Sequence, residues 1–242
     1  MRLPGPSAAA LLLCIASSAV CLAAVPTGGG RGEAVIRGEG ADAAGRYLVN
    51  ASRCGERLST EWRYPDGTLA ASEEVELAEG RWVRYRLQRA NVHQDLRAER
   101  RGDVVTITDG SPSARSPMQI SGRGTLLAGP ELVFFLQSRL SDLRAGRSVA
   151  FQYLLADRGT TLGFVARGIA EGAGTRVTLE PSSMLAKPFV PTTRFLFADD
   201  GGLREVVGRM LPVAGSTKAP KPLDGVLRMT AAQSSCNKKS LS

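Results

Sequence analysis

A chain of 242 residues with a formal net charge of +8, carried mostly by arginine, can bury one large all-β or α+β core. Its single histidine, His93, excludes a histidine-based metal cluster or a Cys–His nucleophile pair, and no Gly-x-Ser-x-Gly elbow, P-loop or dinucleotide fingerprint occurs. The arginines are scattered beside Glu and Asp, as on solvated strand faces. Nucleic-acid binding is therefore not expected, whereas an anionic membrane surface suits the charge.

Arg2 precedes a largely apolar run, residues 8–24, that ends in small residues before Val25-Pro26. This layout reads as a secretory signal peptide, residues 1–24, cut at Ala23 or Ala24, rather than a membrane span. Lipidation at Cys21 ranks second, because Val20 is a poor residue to precede a lipidated cysteine. The mature protein is expected in the periplasm or outside the cell. Cys14 and Cys21 would leave with the signal, and Cys54 and Cys236 are then expected to form one disulfide; two unrelated thiols are the alternative.

Residues 25–45 are Gly-rich and read as a flexible lead-in, with at most a short strand at 34–37. The main domain is expected at residues 46–211. Residues 57–64 alternate, with Leu58, Thr60, Trp62 and Tyr64 on one face, before a Pro65-Asp66-Gly67 turn. Residues 81–89 place Val83, Tyr85 and Leu87 on one side and Trp82, Arg84, Arg86 and Gln88 on the other. Further hairpins are expected around Gly102, Gly159 and residues 171–174, and Asp199-Asp200-Gly201-Gly202 is a strong hairpin turn. Residues 212–242 read as a Pro-rich linker and basic tail with one short strand at 226–229.

Residues 129–146 carry the only helical pattern of several turns. Pro130 suits its first position and Glu131 the positive end of its dipole, while Gly146 can take a left-handed conformation at its end. Leu132, Val133, Phe135, Leu136, Leu140 and Leu143 form one apolar stripe, and Phe134 falls with Gln137, Ser138 and Ser141. The fold class is mainly β with one main α-helix (α+β): an antiparallel meander forming a half-barrel or strongly curved sheet around that helix.

Glu73, Glu74, Glu76 and Glu79 could offer a cation site or a carboxylate pair, but a solvated strand edge explains them better. His93, alternating with Asp95, is expected on the solvent face of a strand. Trp62, Trp82 and Phe134 are the candidate ligand-contacting residues; as core residues, the two tryptophans need no further explanation.

Export, the long meander and the helix are joined by late strands reading Lys187-Pro188-Phe189-Val190-Pro191 and Arg194-Phe195-Leu196-Phe197, then the Asp-Asp-Gly-Gly turn. Together they resemble the half-barrel of the outer-membrane lipoprotein-carrier superfamily, nearest to secreted bacterial domains of unknown function with that fold. The resemblance spans residues 46–211 and implies a concave sheet around the helix, with an apolar cavity for acyl chains or a partner segment. The expected function is an exported, non-enzymatic binding module of the bacterial cell envelope that needs no cofactor and holds an apolar ligand or lipidated partner. The alternatives are an envelope structural or interaction protein with a filled core, and a carboxylate-dependent envelope hydrolase.

Overall fold

The computed structural model describes residues 29–37, 45–111, 116–216 and 219–232. The expected signal peptide, residues 1–24, and Cys236 lie outside these residues. The first half of the chain supplies β1 (Gly29–Arg37), β2 (Arg46–Cys54), β3 (Arg57–Arg63), β4 (Leu69–Ala78), β5 (Arg81–Arg89), β6 (Gln94–Arg101), β7 (Val104–Asp109), β8 (Met118–Ser121) and β9 (Leu126–Leu127). After two short helices come β10 (Val149–Leu155), β11 (Thr160–Glu171), β12 (Gly174–Pro181), β13 (Thr193–Ala198), β14 (Leu203–Ser216) and β15 (Ala219–Ala232). They form one 15-stranded sheet in the order β8-β7-β6-β5-β4-β3-β2-β1-β15-β14-β13-β12-β11-β10-β9. Neighbours pair antiparallel except β9 and β10, which run parallel. The sheet is thus a meander with its two halves joined along β1 and β15, curved and unclosed.

That joint corrects the expected ends of the domain. Within the Gly-rich lead-in, Gly29–Arg37 form strand β1, and the supposed linker and tail hold the end of β14 and all fourteen residues of β15. Glycine is needed at the joint: a Cβ on Gly30 or Gly32 would fall 2.7 or 2.5 Å from the Met229 side chain lying across them. Pro220 and Pro222 pair only with β14, in a stretch that β1 does not reach, so fewer donors are required there. Pro212 sits where β14 and β15 lose register between Arg209 and Val213, a bulge that tolerates its missing N–H.

Two apolar clusters fill the curve. One gathers Tyr47, Trp62, Leu136, Leu140, Leu143, Phe151, Phe195 and Phe197 among others. The second gathers Leu58, Val75, Trp82, Tyr85, Leu87, Leu96, Ile107, Leu126 and Leu154. Strands β3 and β10 contribute to both, through Leu58 and Trp62 and through Phe151 and Leu154.

The expected single helix is two, α1 (Glu131–Ser138) and α2 (Leu140–Arg144). The Ser138 hydroxyl donates to the Phe135 carbonyl at 2.7 Å, and Arg139 leaves helical geometry at φ −109°, ψ 6°. A serine competing for backbone carbonyls is a known cause of such a break. Gly146 ends α2 at φ +75°, its N–H donating to Leu143 O at 3.0 Å. The helices dock on the late strands: Arg144 Nε donates to Thr175 Oγ1 at 2.6 Å, and Gln137 Nε2 to Gly201 O at 2.9 Å. A Cβ on Gly168 of β11 would meet the Leu143 backbone and side chain at under 3 Å, so that glycine permits the close approach.

Candidate functional site

Where the two clusters meet, inward-facing polar side chains form a seam. Glu73 lies on the same face of β4 as buried Ala71 and Val75, so it points inward rather than to a solvated edge. Of the other acids in its run, Glu74 pairs with Arg57 and Glu76 with Arg84 across strands, and Glu79 takes a left-handed turn position at φ +51°. Tyr85, on the neighbouring β5, donates its hydroxyl to Glu73 Oε1 at 2.6 Å. Burial raises the Glu73 carboxyl, opposed by the Tyr85 hydrogen bond and the Arg89 charge. The Tyr85 and Tyr153 phenols are held well above their ordinary value, first by burial and then by the Glu73 charge. Gly129, at φ +47°, lies over this pair; a Cβ there would come 2.8 Å from Tyr85 Cε2 and 3.3 Å from Glu73 Cδ.

Buried Arg89 continues the seam and clamps three parts of the chain. Its Nη1 donates to Gln94 Oε1 at 2.8 Å and Asp157 Oδ2 at 3.1 Å, and its Nε to the carbonyl of Leu211 at 3.1 Å. On the other side, Arg100 donates to the carbonyls of Gly122 (2.8 Å) and Gly102 (3.2 Å) and lies 5.8 Å from the Trp82 ring centroid. Glu131 opens α1 with its carboxylate accepting the Ala128 N–H at 3.1 Å. Burial raises its pKa to about 7, despite the opposing Ala128 hydrogen bond and Arg100 charge.

Two hollows flank the Arg89–Asp157 ion pair. One, of about 80 Å³, is lined by His93, Gln94, Asp109, Ser111 and Asp157 among others. The second is open and of about 310 Å³, sharing His93, Gln94 and Ser111 and reaching Arg89. His93 is exposed as expected, but it caps a short 3-10 turn at φ +48° instead of sitting within a strand. Among the described residues no group of three His, Cys, Asp or Glu side chains is arranged to hold a metal ion. The donors of Arg89 are turned on Asp157, Gln94 and a carbonyl. Chemically this arrangement is a lock between distant strands.

Trp62 is 5 % exposed and belongs to the first cluster; Trp82 is 0 % exposed and belongs to the second. The tryptophans therefore do not share a wall, and neither borders the two hollows. Trp82 reaches the interior because β4 and β5 slip register between Glu76 and Leu77. Val83 becomes an extra residue, so Trp82 joins Tyr85 and Leu87 instead of the polar Arg84 face expected from strict alternation. Its Nε1 donates to the Leu126 carbonyl at 2.9 Å, fastening the two-residue edge strand β9. Phe134 is half-buried against the second cluster, with the Arg53 guanidinium 5.5 Å from its ring centroid. The two faces of α1 thus serve different clusters. Cys54 ends β2 and is not a free thiol; its expected partner Cys236 is outside the described residues, so that pairing is a proposal.

No family model and no curated protein matches the chain. Its structure is similar to the crystal structure of a β-barrel-like protein of a domain of unknown function, DUF1849, from Brucella abortus. The TM-score is 0.52 at 9% sequence identity, covering 86% of this chain and 97% of that one. The chain thus has a barrel-like fold, a likeness of fold alone.

Proposed function

We propose that the chain is an exported, non-enzymatic binding protein of the bacterial cell envelope that works through its outer surface. The observation that carries this reading is the state of the interior. The residues expected to clasp an apolar ligand are occupied by one another: Trp62 and Trp82 in separate clusters, Leu136 and Leu143 fully buried under the helices. A pocket for a drug-sized or acyl ligand takes roughly 300–1,000 Å³. The cleft between Val92 and Asp157 offers about 80 Å³; the larger hollow reaches about 310 Å³ but is an open depression beside Arg89 that encloses no ligand.

The interaction-protein alternative is therefore preferred to a lipoprotein-carrier cavity. A non-enzymatic role is supported by the seam, where Tyr85 is bonded to Glu73 and Arg89 to Asp157 and Gln94. The apolar run at residues 8–24 supports export. The test is to purify protein exported by its own leader, extract it with organic solvent and analyse the extract by mass spectrometry. No stoichiometric lipid is expected; one lipid per chain would overturn the reading in favour of a carrier.

A further inference from the structure

Residues 182–192, between β12 and β13, carry Met184, Leu185 and Phe189 at 75, 85 and 84 % exposure, the most exposed large apolar side chains described. Single exposed apolar residues are ordinary, but three within six positions at one loop tip are not. The tip is ordered by its own backbone: Ala186 N–H donates to Ser183 O at 3.1 Å, Phe189 N–H to Ala186 O at 3.0 Å and Val190 N–H to Ala186 O at 3.1 Å. Pro188 and Pro191 have no N–H to satisfy. Ser182 N–H ties the base to Gly163 O at 2.9 Å.

A basic collar surrounds this knob. Lys187 lies within it, 3.4 Å from Glu180, and Arg167 reaches the same carboxylate at 3.1 Å. Arg194 stands exposed on β13, and Arg167 and Arg194 both oppose Thr178 from either side of β12. Arg167 and Lys187 thus share one acid, and Arg194 adds a third cation on the next strand. We propose that this loop is a membrane-docking knob, which sinks Met184, Leu185 and Phe189 into the interface of an anionic phospholipid surface while Lys187, Arg167 and Arg194 meet the headgroups. Three features favour lipid over a protein partner. A loop that enters the apolar boundary must satisfy its own backbone, and this one has turn bonds and prolines to do so. Apolar tips ringed by Lys and Arg match the chemistry of interfacial anchoring. The same collar on a second copy would repel it.

The inference rests on the surface-binding reading and names its partner. It is tested by co-sedimentation of the exported protein with vesicles of phosphatidylcholine alone or mixed equally with phosphatidylglycerol. Binding is expected to the mixed vesicles only. It should weaken about tenfold or more in the combined Met184→Ser, Leu185→Ser, Phe189→Ser variant, and also weaken in Lys187→Glu and at high salt. An unchanged melting temperature would show that the serine variant is folded. Native protein that stays in the supernatant, or a folded serine variant that sediments as well as native, overturns the proposal. So does a native dimer that the serine variant converts to monomer in the absence of lipid, since the knob would then be a self-interface. Vesicle binding that fails while solvent extraction yields no lipid overturns the knob alone; extracted lipid in one-to-one amount overturns the surface reading itself.

Discussion

Replacing Glu131 by glutamine isolates the energetic consequence of burying a carboxyl group at the start of α1. The native group moves from an ordinary 4.5 to about 7 because burial outweighs its hydrogen bond to Ala128 and the charge of Arg100. A folded-state pKa raised above the unfolded one means that the native protein binds more protons between those values. Glu131 therefore favours the native state below pH 4.5, and that contribution is lost as pH rises through about 7. Each tenfold change in proton affinity is worth about 1.4 kcal/mol, so the whole change amounts to about 3 kcal/mol. The amide of the Glu131→Gln variant does not titrate. Urea unfolding of native and Glu131→Gln protein at pH 4.5, 6 and 8 should show the variant gaining on the native protein by about 3 kcal/mol across the series. The pH dependence of the difference is the diagnostic, because any fixed cost of the amide cancels. A difference that stays constant from pH 4.5 to 8 would refute the buried, proton-binding carboxyl.

Trp82→Phe leaves the Leu126 carbonyl only the longer hydrogen bond from Arg100 Nη1 at 3.4 Å and loosens β9, so denaturant titration should show a loss of about 1–2 kcal/mol; a loss under 0.5 kcal/mol would mean that β9 is held otherwise. Gly129→Ala combines a left-handed backbone with a Cβ pressed on Tyr85 and Glu73, and should cost about 2–4 kcal/mol in the same assay. Phe134→Ala and Phe135→Ala should each cost about 2–3 kcal/mol, since both rings are half-buried against the core; an unaffected Phe134→Ala protein would restore that residue as an open contact. Cys54 and Cys236 of the mature protein should resist a thiol reagent when denatured without reductant, and mass spectrometry detecting both as labelled would rule out their bond.

The meander was legible because its turns are written in residues that few other structures want. Asp199-Asp200-Gly201-Gly202 closes its hairpin as expected, with Gly202 N–H donating to Asp200 Oδ1 at 2.8 Å, and β13 contains the late strand read at Arg194-Phe195-Leu196-Phe197. What escaped the sequence was set by register and long-range contact. One extra residue at Val83 moves Trp82 to the inner face, and nothing local marks the bulge. Strand β1 looks like a linker because its glycines make room for Met229, almost two hundred residues away. The break at Arg139 had a local signal in Ser138, but the leucine stripe running through it argued for one helix. Glu73 was hidden among solvated glutamates. Its place between Ala71 and Val75, opposite apolar Leu87 on the next strand, was the only available hint that it faces inward.

The filled interior is tested most directly through the chain's two tryptophans, which report one cluster each. Tryptophan emission of the purified protein, measured during titration with a long-chain polyene fatty acid that accepts energy from tryptophan, reads the approach of an acyl chain to either cluster. With Trp62 and Trp82 sealed among their own neighbours, the emission should be insensitive to acrylamide, and no saturable energy transfer should appear. Saturable transfer at one fatty acid per chain would contradict a filled interior and place an acyl chain beside at least one of the two rings.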